Sequence, residues 1–313
     1  MIRLLKPLFA FLVINLAVIL GISLIFVIIS VFTGIDLSQI LWNYSNLLIY
    51  SFIVGFLWAL ISLFTSKWMV KFLYNITIID ENTYQQLKYS DDPISRKIAF
   101  LYEKLKNLAQ KYGVDNVELG IYESPEPNAF ATGCWICGRL IAFSSGILQI
   151  MDEHELEWVL WHEFAHLMNW DMVTTSILQW FLNTFVIFIS RVLAWIFTSK
   201  WEEEEESSNF MYPIIAMFLE FFFGLLVSMV LAWYSRIREY AADRDSALKY
   251  SSKIDMIDAL KKLKWVVESD QIIPDPNNDY VATLKIYNFA WKLLNLFATH
   301  PPLDDRIKKL EQL

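Results

Sequence analysis

His162, Glu163 and His166 are the residues of this chain best placed to do chemistry together. They stand in the run His162-Glu163-Phe164-Ala165-His166, inside a segment, about 152–170, whose pattern predicts a helix. A spacing of four puts both imidazoles on one helical face, close enough to hold a single zinc ion. Glu163, one residue beyond the first histidine, sits where it can take a proton from water activated at such an ion. The whole chain has four histidines, so the pairing is not a by-product of a histidine-rich composition. The chemistry this implies is hydrolysis, and the spacing is the H-E-x-x-H pattern of zinc peptidases.

Two histidines leave zinc under-coordinated, so a third protein ligand is required, with one position left open to water. Of the remaining histidines, His154 opens the motif helix two turns before His162 and points elsewhere, and His300 lies far along the chain. A glutamate is the other common choice. Glu239, in Ser235-Arg236-Ile237-Arg238-Glu239-Tyr240-Ala241-Ala242-Asp243, is the best candidate. Glu239 and Asp243 are i and i+4 and share a helix face. Glu239 can then bind metal while Asp243 accepts the far N–H of a ligating histidine, fixing its tautomer and ring direction. The same spacing also suits two acids paired with Arg236, Arg238 or Arg244 on a solvated face, and spacing alone does not choose between these.

The elements that must position these groups can be read around them. Ile98, Leu101, Leu105, Leu108 and Tyr112 recur at helical spacing and predict an amphipathic helix over 95–112, ended by Gly113. Residues 117–122 read as a strand. Residues 127–133 and 140–144 read as a β-hairpin closed by Cys134-Trp135-Ile136-Cys137. For that cysteine pair, a zinc knuckle lacks two further ligands and a redox pair lacks a thioredoxin-like βαβ context. A tight turn carrying two ordinary thiols is the expectation. Beyond the motif helix, 235–250 reads as an unbroken helix, 253–267 as an amphipathic helix, 269–279 as a polar loop, and 303–313 as a short charged helix behind Pro301-Pro302.

The chain of 313 residues is 56% hydrophobic and only 19% charged, with a net charge of −8. That is too apolar for an ordinary soluble enzyme. The acidity argues against nucleic acid as a partner. The apolar residues gather in blocks that predict four transmembrane helices, at 7–32, 47–64, 177–197 and 212–234. The first would be about 39 Å long as a helix, enough to cross with tilt. The third carries Asn183 and Arg191, and a charge at membrane depth is costly. Either Arg191 snorkels to the interface or the third and fourth helices dip in only partly, with full spanning the expectation. Arg3 and Lys6 precede the first block, Lys67 and Lys71 follow the second, and the stretch between them has no basic residue. This bias puts the amino terminus and the region after Lys67 in the cytoplasm. The acidic run Glu202 to Glu206 then falls outside, and Arg236 and Arg238 inside. Both parts of a site built from His162 and Glu239 therefore share one compartment.

The chain resembles the HtpX-type membrane-bound zinc metalloproteases, relatives of the CAAX prenyl endopeptidases. The residues that carry the resemblance are Pro127 to Gly133 (PNAFATG), His162 to His166, Asn183 to Val192 (NTFVIFISRV), Ser235 to Asp243 and Thr299 to Arg306 (THPPLDDR). Departures are local: Trp170 stands where that family usually has glycine, and cysteines stand where it has polar residues. The resemblance implies one zinc per chain held by His162, His166 and Glu239, with Glu163 as catalytic base and Asp243 supporting a histidine. It also implies His300 as donor to the oxyanion, with Arg306 or a tyrosine as substitutes; the other reading of His300 is a cap or packing residue before the last helix. Zincins place an edge strand upstream of the motif helix, so Asn128 and Ala129 are expected to bind an extended substrate as an added strand, unless that strand is simply buried.

The expected architecture is α+β and mainly α: four transmembrane helices plus a zincin-like (gluzincin) metalloprotease domain with a small β-sheet. Residues 1–66 hold the first two spans, 67–176 the first half of the protease domain, 177–234 two further spans, and 235–313 the second half. The expected function is a zinc-dependent endopeptidase of the cell membrane, active site towards the cytoplasm, cleaving damaged or misfolded membrane proteins. The alternatives are a specific processing protease for prenylated or other membrane substrates, and a zinc-binding membrane scaffold that does not cut.

Overall fold

The structure is a computed structural model that describes residues 44–134, 136–199, 208–250, 253–268 and 300–313. Among these the order is α1 (Tyr44–Leu73), β1 (Thr77–Ile79), α2 (Glu81–Lys88), α3 (Pro93–Tyr112), β2 (Val117–Tyr122), β3 (Ala129–Cys134), β4 (Gly138–Ser144), α4 (Ser145–Ile150), α5 (Glu153–Met168), α6 (Asp171–Ser199), α7 (Ser208–Asp245), a π-helical turn (Ser246–Tyr250), α8 (Lys253–Glu268) and α9 (Leu303–Glu311). The described chain is mainly helical with one small mixed sheet, as the sequence predicts. Helices α1, α6 and α7 contain stretches long and apolar enough to cross a membrane: Asn46–Leu73, Asp171–Thr198 and Met211–Lys249. They contain the second, third and fourth expected spans; the first, 7–32, lies outside the described residues.

The chain divides into two compact units. One comprises the described residues of 1–62 and 175–234. In it the Trp180 indole N–H donates to the Phe52 carbonyl at 3.1 Å, and Phe52 and Phe56 both pack on the same ring. Gly55 lets α1 and α6 approach closely, since a Cβ there would meet Thr184 Oγ1 and the Trp180 carbonyl. Arg191 does not snorkel. Its Nε lies 3.0 Å from Glu220 Oε1 on α7, with the Glu220 side chain buried and that of Arg191 mostly so. A charge in a spanning segment finds the opposite charge on a neighbouring helix, which costs less than meeting the lipid alone.

The other unit comprises the described residues of 63–174, 235–291 and 300–313. Its sheet has the order β1-β2-β4-β3. β2 runs parallel to β4, and β3 pairs antiparallel to β4 from Ala129↔Phe143 to Cys134↔Gly138, so β3 is an edge. The hairpin turn uses Gly133 at φ 102° and Gly138 at φ 78°. A Cβ on Gly133 would collide with the Gly138 carbonyl. Cys134 and Cys137 form a disulfide, not two thiols, because the turn brings their Cα atoms to 5.1 Å, within bridging range.

Helix α3 starts at Asp92, whose carboxylate accepts from Ser95 N, has Pro93 in its first turn, and ends at Gly113 with φ 63°. Helix α5 opens on a capping box: Asp152 accepts from Glu155 N while Glu155 accepts from Asp152 N. These ends set the phase of α5. Leu156, Leu160 and Phe164, spaced by four, enter the core with Leu101 and Leu105 of α3 and Ile141 and Phe143 of β4. Trp158, His162 and His166, offset by two residues, fall about 200° round the helix. Both faces are buried, so α5 lies between the core and the site.

Candidate metal centre and cleft

Two elements supply the potential ligands. Helix α5 offers His162 and His166 one turn apart, and the carboxy-terminal part of α7 offers Glu239. All three are buried and could present one ligand atom each within 4.8 Å of one another. The two Nε2 atoms are 3.2 Å apart. Glu239 places Oε2 3.4 Å from His162 Nε2 and Oε1 3.3 Å from His166 Nε2.

This donor set fits a metal ion. Donors bound at about 2.0–2.2 Å around one tetrahedral ion lie about 3.3–3.6 Å apart. Here the two Nε2 atoms are 3.2 Å apart and each has one oxygen of the Glu239 carboxylate at a similar distance, Oε2 at 3.4 Å from His162 and Oε1 at 3.3 Å from His166. Each ring turns its other nitrogen to a carboxylate: His162 Nδ1 is 2.9 Å from Asp243 Oδ1, and His166 Nδ1 is 2.6 Å from Asp171 Oδ2. With the rings neutral and Nδ1 donating, the two Nε2 lone pairs converge on one point, an arrangement that a metal ion there satisfies and that a proton on one ring satisfies in its absence. Glu239 Oε2 is buried, with His300 Nδ1 at 3.1 Å and His162 Nε2 at 3.4 Å around it. Burial disfavours the charge on Glu239, but its contacts with His162, His166 and His300 outweigh it and hold the carboxyl well below its usual pKa. Burial likewise works against a charged His166, yet Asp171 and Glu239 push its pKa up to about 10.

Asp243 contacts a histidine, as its helical offset from Glu239 predicts. Its partner on the other side is Arg306, which donates from Nε at 2.8 Å to Oδ2 and from Nη2 at 2.6 Å to Oδ1, a two-pronged grip. Burial raises the Asp243 pKa, but Arg306 and His162 bring it below the ordinary value. None of Arg236, Arg238 and Arg244 is the partner of Asp243 in these contacts. Arg306, read from sequence as a substitute oxyanion donor, is buried and bound to Asp243. His300 is exposed and its Nδ1 lies 3.1 Å from Glu239 Oε2. His154 is exposed on the first turn of α5.

Sequence reasoning missed Asp171. It stands five residues beyond His166 and outside α5, so no helical period points to it. The chain reaches it through Trp170, which adopts φ 60°. That left-handed backbone is a conformation glycine takes without strain and other residues adopt rarely. Nor was the end of α7 foreseen: the α-helix stops at Asp245 and a π-helical turn follows, with Ser246 fully buried.

A cleft of about 280 Å³ opens on this centre, and Asn128, Ala129, His162, Glu163, Glu239 and His300 are among the residues that line it. The amino-terminal end of edge strand β3 thus borders the same space as the three donors and Glu163.

A chain that carries both helices apolar enough to cross a membrane and a buried His–His–Glu centre beside an open cleft has the make-up of a membrane metallopeptidase. The chain belongs to peptidase family M48, whose family model matches residues 95–313, and within it to the HtpX proteases. It is 40% identical over 273 residues to the protease HtpX homolog of Methylacidiphilum infernorum (isolate V4), covering 87% of each chain. Against the protease HtpX homolog of Bacillus velezensis it is 38% identical, covering 98% of this chain and 99% of that one. With the protease HtpX of Tolumonas auensis it shares 37% identity, again over 98% and 99%. The crystal structure of S. mikatae Ste24p superposes with a TM-score of 0.56 at 19% identity, covering 95% of this chain and 67% of that one, a likeness of fold.

Proposed function

We propose that this membrane protease is a zinc-dependent endopeptidase of the gluzincin type that cleaves damaged or misfolded membrane proteins. The observation that carries the reading is the convergence of His162, His166 and Glu239, one potential ligand atom from each within 4.8 Å of the others, beside Glu163 in an open cleft. His162, His166 and Glu239 hold one zinc per chain. When bound, zinc supplies a Lewis acid for the scissile carbonyl and brings the acidity of water towards neutral pH. Glu163 takes the proton as water attacks, then returns it to the leaving amine. His300, at the exposed rim, donates to the oxyanion. Asn128 and Ala129, at the open edge of β3, pair with the backbone of an extended polypeptide as an added strand. That mode of binding reads backbone more than side chains, which suits substrates whose common property is being unfolded.

The bilayer is that of the cell, crossed four times, with 7–32 as the first span and the cleft on the cytoplasmic side, in accord with Arg3, Lys6, Lys67, Lys71, Arg236 and Arg238. A zinc scaffold that does not cut has no need of a carboxylate at Glu163. Glu163→Gln in detergent-purified protein tests the reading: zinc content stays at one per chain while cleavage of casein or an unfolded membrane protein falls at least 100-fold. Undiminished cleavage by the zinc-loaded variant refutes the role of Glu163.

A further inference from the structure

Asp171 divides its two carboxylate oxygens between two partners. Oδ2 lies 2.6 Å from His166 Nδ1, and Oδ1 accepts from Arg238, through Nε at 2.5 Å and also through Nη2. The carboxylate is buried at 3% exposure. Arg238 immediately precedes Glu239 on α7. Helix α7 therefore reaches His166 from both sides: Glu239 Oε1 stands 3.3 Å from Nε2, and Arg238 reaches Nδ1 through Asp171. His166, Asp171, Arg238 and Glu239 close a ring. The same segment has a second tie, because Asn169 Nδ2 donates to Asp245 Oδ2 at 3.0 Å. His162 is held differently, by Asp243 from α7 itself, with Arg306 of α9 behind it.

We propose that Asp171 and Arg238 are a positioning pair that fixes the ring direction and tautomer of His166 and so sets how tightly the centre keeps zinc. The proposal rests on the zinc reading above and deepens it. Arg238 keeps Asp171 an acceptor, Asp171 keeps the hydrogen of His166 on Nδ1, and Nε2 is left with its lone pair towards Glu239 and His162. Without the carboxylate the ring can rotate or exchange tautomers, and such supporting contacts to metal-bound histidines are worth about 10–100-fold in metal affinity. Both Arg238 donors end on one oxygen, so the guanidinium acts as a charge beside Oδ1, not as a two-oxygen fork. A lysine can therefore take over part of its work.

The test is Zn²⁺ affinity of the full chain in detergent, measured by competition with a chromophoric chelator, alongside the melting temperature of each metal-free variant. Asp171→Ala and Arg238→Gln each weaken zinc binding by about 10–100-fold, and Arg238→Lys falls between Arg238→Gln and wild type. The double variant Asp171→Ala/Arg238→Gln binds no more weakly than Asp171→Ala alone, because one acts through the other. Asp171→Ala at wild-type affinity, or losses that simply add in the double variant, overturns the pair. Should Asp171→Ala not fold, the arginine variants decide: equal affinities for Arg238→Gln and Arg238→Lys overturn it. A wild type that takes up no zinc overturns the zinc reading and the pair together; a zinc-binding wild type beside an unchanged Asp171→Ala overturns the pair alone.

Discussion

A proton and a metal ion compete for Nε2 of His166. In the metal-free site its pKa stands at about 10, with Asp171 and Glu239 overcoming the effect of burial. Below that pH the ring carries a proton that must leave before the ion arrives, so affinity rises as pH rises. The expected outcome is a gain in apparent zinc affinity of at least about tenfold per pH unit between pH 6 and 8, steeper where His162, whose pKa is also raised, gives up a proton as well, read by chelator competition; a flat profile contradicts it. At this scale the sequence disclosed what local periodicity can disclose. His162 with His166, and Glu239 with Asp243, are each four apart on a helix, and their shared faces follow from that alone. Asp171 and Arg306 carry no such mark. Asp171 is reached by a non-helical step at Trp170, and Arg306 meets Asp243 across 63 positions of chain, a contact that only tertiary structure creates.

Among the elements, those that announce their ends in sequence were the legible ones. Gly113 closes α3, and the hairpin is written in the alternation of 127–144. The small pieces β1, α2 and α4 were not read, since three to eight residues carry too little period to stand out. The π-helical turn after Asp245 also escaped, because its residues read as ordinary helix. The Cys134–Cys137 bridge was expected as two thiols, and a reducing compartment would keep it so. The hairpin does not depend on it: six residue pairs from Ala129↔Phe143 to Cys134↔Gly138 fix its register, and Gly133 and Gly138 supply the turn. Treatment with dithiothreitol is therefore expected to leave protease activity within about twofold, measured against an untreated sample with zinc held constant. Loss of activity on reduction, restored by reoxidation, contradicts this independence.

At the scale of the whole molecule, hydropathy located the three long apolar helices of the described residues but said nothing of what their charges meet. Arg191 was noticed and Glu220 was not, although both lie inside apolar blocks; their pairing at 3.0 Å is legible only once α6 and α7 are neighbours. Removing one partner strands the other charge, at a cost of about 3–5 kcal/mol, whereas replacing both costs far less. Arg191→Leu and Glu220→Leu are each expected to melt well below wild type in detergent, with the double variant above either single one; a double variant less stable than both contradicts the pairing. The larger lesson of this scale is that α5 and the end of α7, separated by some seventy residues of mostly membrane-crossing chain, meet at one centre. Zinc content, measured by mass spectrometry of the metal in purified wild type and Glu239→Ala after chelator dialysis, tests that most directly. One zinc per chain in the wild type and essentially none in the variant is the predicted result. Equal zinc in both would contradict it.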